Sequence, residues 1–126
     1  MLVGDAGGWN DPILGLGLSI TYRDVRMVSY ILLGSDDWSA DIFRPYGEER
    51  YERLRRLRFA AKVLSCLDVE FGEYAEARRA DFDRRAAADP SLRMYGLATL
   101  GDPELVPEDY FTDESYARIV GERQAA

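Results

Sequence analysis

The residues best suited to chemistry lie together near the N-terminus, in a glycine-rich segment from Gly4 to Ser19. An acidic residue, Asp5, stands in its first turn, and Pro12 opens a long segment of helical character after the N-cap candidate Asp11. The N-terminus of a helix offers unpaired N–H groups and a partial positive charge. Glycines let a ligand approach the backbone closely. Such a segment is suited to holding a cofactor, with the acidic side chain accepting hydrogen bonds from sugar hydroxyls.

The composition excludes several other kinds of site. The 126-residue chain contains no histidine, which removes imidazole bases, imidazole metal ligands and any Ser-His triad. Its one cysteine, Cys66, allows neither an internal disulfide nor a tetrahedral Cys/His zinc site, and it suits a reducing cytoplasm. The net charge of −7 argues against nucleic acid as a partner. We therefore predict no catalytic side chain and no metal ligand.

The elements that position the glycine-rich segment are predicted to be mainly helices. Met1–Val3 is expected to be a short extended stub, the end of a strand. A long helix over residues 12–33 should follow and end at the turn that begins with Gly34. It is apolar enough to suggest a membrane span, but Arg23 and Asp24 lie in its middle, where charges are costly in lipid. We expect this helix to be buried in protein instead.

A second helix is predicted to begin near Ser39, to be kinked or split by Pro45 and to end at Gly72. Arginines between Arg50 and Arg58 alternate with glutamates, and Glu49/Arg53 and Glu52/Arg56 are favourable i,i+4 pairs, so this stretch is expected to be a solvated helix face. The apolar face should carry residues spaced by three, four or seven: Leu54, Leu57, Ala61, Leu64 and Phe71.

Shorter helices are predicted in the rest of the chain. One should cover residues 73–88, with Tyr74 and Phe82 as apolar anchors, and should stop at the Asp89-Pro90 pair. A short helix over 91–100 and a final one over 112–121 should follow. The tail after Gly121 should fray.

The first segment resembles a known flavin motif. Class A FAD-dependent monooxygenases, with the related geranylgeranyl-reductase and flavin-halogenase branches, carry G-D-A-A-x-x-x-x-P-x-x-G-x-G well after their first dinucleotide-binding fingerprint. Asp24 also matches an acidic residue that usually follows on the same helix in that family. The matching residues, in order and spacing, are Gly4, Asp5, Ala6, Pro12, Gly15 and Gly17.

The resemblance implies a role for each matched position. Asp5 would accept hydrogen bonds from FAD hydroxyls, and Pro12 would lie beside the isoalloxazine ring. Backbone N–H groups from Gly15 to Leu18 would face the pyrimidine edge of the flavin, where the helix dipole stabilises negative charge. The cofactor-binding residues implied in this way are Gly4, Asp5, Ala6, Pro12, Gly15, Leu16, Gly17 and Leu18.

Some positions depart from the family pattern. Gly7 replaces the usual second alanine, Gly8 stands where many hydroxylases have histidine, and Leu16 stands where glutamine or glutamate is frequent. Gly8 matches the reductase and halogenase branches better than the hydroxylases. The branch of the family therefore stays open.

The resemblance also implies what kind of protein this is. Residues 1–33 would be the flavin-proximal turn and helix of an FAD-binding domain, and 34–126 a C-terminal helical region, together a mainly α fragment of an α/β hydroxylase-like fold. The sequence has no G-x-G-x-x-G unit for the adenosine half of FAD, so the chain is expected to be inactive alone. A truncated or decayed gene and a split-gene product are all compatible with this.

Two functional interpretations follow. In the first, the chain is the C-terminal portion of an FAD-dependent, monooxygenase-like oxidoreductase that uses NAD(P)H and a small-molecule substrate, and its partner is a separate N-terminal FAD-binding chain or a second copy of itself. In the second, it is a non-catalytic helical interaction or structural module that keeps the ancestral flavin helix.

Overall fold

The computed structural model describes residues 1–121; residues 122–126, on which the predicted fraying falls, lie outside the described part. Within residues 1–121 the chain is mainly helical, as predicted, and forms no β-strand. The α-helices are α1 (Gly17–Leu33), α2 (Arg44–Leu64), α3 (Glu73–Ala88), α4 (Tyr95–Leu100) and α5 (Asp113–Val120). None of these described helices is long and apolar enough to cross a membrane.

Residues Met1–Arg55 form a compact unit, called here the N-terminal unit. Its first residues are extended at Val3, as expected of the stub, but they pair with no strand in the described chain and turn at once into a 3₁₀ helix, Gly4–Gly7. That turn and a second 3₁₀ helix, Ala40–Phe43, pack against α1. The predicted division of the chain after residue 33 stays a prediction.

Helix α1 differs from its prediction in its start and its burial. A 3₁₀ turn, Pro12–Leu14, ends at Gly15, whose φ of 64° stops the helix, so α1 begins only at Gly17. The prediction of a buried helix was wrong. Helix α1 carries apolar side chains on all sides, but only Ile20, Asp24 and Val28 are buried. The large side chains of the opposite face are exposed: Leu18, Tyr22, Val25, Tyr30 and Leu33.

The predicted second helix consists of two parts, the 3₁₀ helix Ala40–Phe43 and α2, which begins at Arg44, the residue before Pro45. The proline occupies the second position of the helix, where the N–H that it lacks has no intrahelical acceptor. The α-helix ends at Leu64 and widens into a π-helical turn, Ser65–Val69, which changes the register of the following residues. Glu70 is extended, so Phe71 lies beyond the end of the helix and is 90% exposed, and its predicted place on the apolar face was wrong.

Residues Arg56–Ala126 form the second compact unit, the C-terminal unit, described to Gly121. Helix α3 spans Glu73–Ala88 as predicted, with Phe82 buried, although Tyr74 is exposed. The predicted last helix is α5, capped by the Thr112 side chain. A continuous apolar core includes Val63, Cys66, Leu67, Phe82, Leu92, Val106, Tyr110, Phe111 and Ile119.

Candidate functional site

The Gly4–Gly7 turn is fitted closely onto α1. Gly4 has a φ of +55°, and a Cβ atom there would lie 2.8 Å from the hydroxyl oxygen of Thr21, so only glycine suits the position. The Thr21 hydroxyl donates to the carbonyl oxygen of Gly17 at 2.9 Å. Thr21 therefore links the turn to the start of α1, which brings the first and last glycines of the predicted motif onto the same helix end.

A buried carboxylate on α1 accepts a hydrogen bond from the backbone of the turn. Asp24, on α1, is fully buried, and its Oδ2 accepts the Gly4 N–H at 2.9 Å and Arg50 Nε at 2.8 Å. Its Oδ1 accepts Arg53 Nη2 at 2.6 Å. A buried charge is stabilised only when it is paired and hydrogen-bonded, and both Asp24 oxygens meet that condition.

Arg50 connects Asp24 to the Gly4–Gly7 turn. Its Nη2 donates to the Gly4 carbonyl at 2.6 Å and its Nη1 to the Gly7 carbonyl at 2.7 Å. Tyr46, one turn earlier on α2, donates its hydroxyl to the Leu2 carbonyl at 3.1 Å. Residues from α2 therefore hold three backbone carbonyls of the N-terminal segment.

Acidic and basic side chains continue the cluster on its outer side. Glu49 accepts Arg53 Nε at 2.9 Å and Arg23 Nη2 at 2.7 Å. The predicted Glu49/Arg53 pair is thus formed, and Glu52 pairs with Arg55, its neighbour three residues on; the predicted Glu52/Arg56 pair stays a prediction. The resulting buried ion cluster consists of Arg23, Asp24, Glu49, Arg50 and Arg53.

The cluster sets the ionisation of Asp24. Burial raises the pKa of its carboxyl, but the hydrogen bonds from Arg50, Arg53 and the Gly4 amide outweigh burial and hold that pKa below its ordinary value. Burial and the nearby Asp24 charge also raise the pKa of the Tyr46 phenol. Asp24 is therefore ionised and Tyr46 neutral at neutral pH.

The start of α1 is open. Asp11 caps the preceding turn by accepting the Ile13 N–H at 3.0 Å, but no side chain caps α1 itself, whose N-cap is Leu16. Added Cβ atoms at Gly15 and Gly17 would meet no atom within 4 Å. Leading N–H groups and space beside them fit the edge of a ligand that accepts hydrogen bonds, which is the chemistry a flavin pyrimidine ring offers.

Most of the remaining predicted residues are exposed. Asp5 and Ala6 are exposed in the turn, Pro12 is exposed at the start of its 3₁₀ helix, and Leu18 is exposed on α1. The loop between the two turns contains Asn10, whose Oδ1 is buried without a hydrogen-bond partner among the described residues. Apart from the buried Gly4 and the partly buried Leu16, the predicted cofactor-binding residues are therefore exposed to solvent.

The sequence did not reveal two central members of the site. Arg50 and Arg53 were expected on a solvated face, yet they are 7% and 3% exposed. Their spacing from Leu54 and Leu57 places all four on one side of α2. In addition, Asp24 lies in the apolar α1, and a carboxylate can be buried there only if cations pair with it. Those two signals together could have identified the arginines.

No group of three or more side chains suited to a metal ion occurs among residues 1–121. No known protein family, curated protein or solved structure matches the chain.

Proposed function

We propose that residues Gly4–Leu18 form the flavin-contacting turn and helix start of an FAD-dependent, monooxygenase-like oxidoreductase, to which this chain contributes the C-terminal portion. The observation that carries the proposal is the uncapped, open start of α1 beside a turn fixed by a buried ion cluster. Such a site is prepared for a ligand before the ligand arrives, which reduces the ordering that binding requires.

Each residue would act on FAD through binding and orientation. The exposed Asp5 carboxylate would accept hydrogen bonds from FAD hydroxyls, Pro12 would lie against the ring, and the N–H groups of Gly15–Leu18 would donate to its pyrimidine edge. When bound, FAD would supply the redox chemistry, with NAD(P)H as electron donor in the complete enzyme. The chain's own contribution is the dipole of α1 and the geometry of the turn.

The test is FAD binding with one open glycine filled. Gly17→Leu would place a side chain beside the α1 N–H groups, where no atom beyond its chain neighbours and the helix's own backbone lies within 4 Å of the added Cβ. We expect FAD affinity, measured by quenching of flavin fluorescence, to fall about tenfold or more as charge-assisted and backbone hydrogen bonds are lost. Gly47→Leu is the matched control, because Gly47 is also a helical glycine with open space around it.

A partner chain belongs to this proposal. Because no G-x-G-x-x-G unit is present to hold the adenosine half, we propose that a separate chain with that unit binds here, and FAD binding should be measured with and without it. Absence of saturable FAD binding in both measurements would contradict the flavin proposal. The cytoplasmic location expected from Cys66 stays a prediction.

The second candidate function is a non-catalytic helical interaction module. It is favoured by the exposed face of α1, where Leu18 and Tyr22 are 73% and 72% exposed, since large exposed apolar patches mark interaction surfaces. Sedimentation of the purified chain at increasing concentration distinguishes the occupants. Self-association without FAD binding would favour the module, and a monomer that binds FAD would favour the oxidoreductase.

A further inference from the structure

We propose that Arg50 is a positioning residue for the candidate flavin site, through which the buried ion cluster sets the orientation of the Gly4–Asp5 peptide. The ligand in this inference rests on the proposed function. The mechanism rests on the contacts of residues 1–55 alone.

The guanidinium of Arg50 makes three bonds in three directions. Nε binds the Asp24 carboxylate on α1, while Nη1 and Nη2 bind the carbonyls of Gly7 and Gly4. A planar fork of five N–H donors can reach all three acceptors with one fixed geometry. A lysine ammonium is a compact charge on a flexible stem, so Arg50→Lys preserves the charge but not this arrangement.

The bond to the Gly4 carbonyl determines which way the next amide faces. The described chain has no cis peptide bond, so the Gly4 C=O and the Asp5 N–H point to opposite sides of one planar peptide. With the carbonyl held by Arg50 at 2.6 Å, the Asp5 N–H faces away from the cluster, on a turn whose Asp5 side chain is exposed. Arg50 therefore helps present one backbone donor and one carboxylate acceptor of the same residue to a ligand.

The charge of the cluster acts in the same direction. The Arg50 guanidinium, which pairs with Asp24, also lies against the carbonyl oxygens of Gly4 and Gly7. Helix α1 adds the positive end of its dipole. Both favour the hydrogen-bond-accepting groups and negative charge of a flavin nucleotide.

The experiment compares Arg50→Lys with Arg44→Lys, a control on the same helix whose arginine is exposed and pairs only with the exposed Asp41 in the contacts described. Amide hydrogen exchange reports the Gly4 N–H, which donates to Asp24, and the Gly8 N–H, which donates to the Asp5 carbonyl. FAD is the probe for affinity and for the visible absorption band of the bound flavin at saturation, measured with the partner chain where that is needed. Arg50→Gln is the second variant if Arg50→Lys does not fold.

We expect Arg50→Lys to accelerate exchange at both amides and to weaken FAD binding about tenfold, with a changed flavin band, while exchange in α3–α5 stays at the wild-type rate. Arg44→Lys should match wild type in all three measurements. Wild-type exchange, affinity and spectrum in a folded Arg50 variant would overturn the inference. If wild type binds no FAD, the proposed function and the ligand role fail together, and unchanged exchange in the variant would overturn the positioning mechanism as well.

Discussion

The two compact units are stabilised by different kinds of interaction. In the N-terminal unit, the most deeply buried side chain of α1 is an ionised carboxylate, Asp24, with Arg50 and Arg53 bound to it. In the C-terminal unit, the fully buried side chains are apolar, as at Val63 and Ile119. Directional ion pairs and hydrogen bonds fix the structure of the first unit at Asp24, whereas apolar packing fixes the structure of the second.

The difference indicates where function is to be sought. Burying charges is expensive, and apolar residues of similar volume often stabilise a fold equally well or better. Apolar packing is sufficient for the C-terminal unit, whereas the N-terminal unit uses directional bonds that fix individual carbonyls of the Gly4–Gly7 turn. We infer that the ion cluster is kept for the geometry of the turn, which is where the proposed ligand lies.

The largest effect should come from neutralising Asp24. Asp24→Asn leaves Arg50 and Arg53 buried without their shared carboxylate, and breaking a buried pair in this way costs about 3–5 kcal/mol. We expect the free energy of opening of residues 1–55, measured by native-state hydrogen exchange, to fall by that amount. Asp36→Asn, at an exposed position, should change it little. Equal loss in α3–α5 would contradict the separation of the two units.

A truncation in the apolar core should give the converse result. Ile119 has no exposed surface, so Ile119→Ala removes buried methyl groups and leaves a cavity, at about 3 kcal/mol. Exchange should accelerate in α3 and α5, with the Gly4 amide still protected by Asp24. Val25→Ala, on the exposed face of α1, is a control for the loss of methyl groups without burial. Loss of protection at Gly4 would show that the turn depends on the distant core.

Acid should separate the units next. Because the pKa of Asp24 is lowered in the folded state, its contribution is complete well above the ordinary aspartate pKa and is lost as pH falls from about 5 through the folded pKa. As acid protonates Asp24, the N-terminal unit should therefore open at a higher pH than it would if residue 24 did not titrate. Exchange measured from pH 7 to pH 3 should show the effect at Gly4, and Asp24→Asn should remove it. A pH profile of the variant parallel to that of wild type would exclude Asp24 as its cause.

A smaller effect is expected from a phenol that bridges two backbone groups in the core. The Tyr110 hydroxyl donates to the Leu92 carbonyl at 3.0 Å and accepts the Tyr95 N–H at 3.2 Å. Tyr110→Phe leaves both groups without that partner and should destabilise the C-terminal unit by about 1–2 kcal/mol in urea denaturation. The matched control is Tyr51→Phe, whose hydroxyl is on an exposed side chain. Equal midpoints for the two variants would show that the bridge contributes nothing.

Local signals in the sequence were sufficient for much of the helical framework. The Asp89-Pro90 stop and the periodicity before it predicted α3, and Thr112 predicted the start of α5. What could not be predicted depends on backbone states that have no strong sequence signal. The left-handed Gly15 delays α1, and the extended Glu70 ends the second helical segment before Phe71.

The sequence indicated the glycines and Asp5 of the candidate site but not the buried arginine that contacts the turn. The glycines and Asp5 follow a motif; Gly15 and Gly17 lie at the start of α1, whereas Gly4 packs further along the helix, against Thr21 and Asp24. Arg50 was assigned to solvent because nearby glutamates offered it partners on its own helix. Its actual acceptors, Asp24 and the Gly4 carbonyl, are 26 and 46 residues away, and only the tertiary fold brings them together.

The smallest effect on stability is expected from a substitution on the exposed face of α1. The same substitution should have a larger effect on association with a partner. Tyr22 is 72% exposed, so Tyr22→Ser should change the free energy of unfolding by less than about 0.5 kcal/mol. If this face binds a partner chain or a second copy, the same substitution should weaken that complex in sedimentation, because large aromatics carry much of an interface's binding energy. Tyr74→Ser, on the exposed side of α3, is the control for loss of an aromatic side chain. Destabilisation of the isolated chain by Tyr22→Ser beyond about 1 kcal/mol would mean that this face of α1 contributes to folding, and the interaction surface proposed for the N-terminal unit would then be wrong.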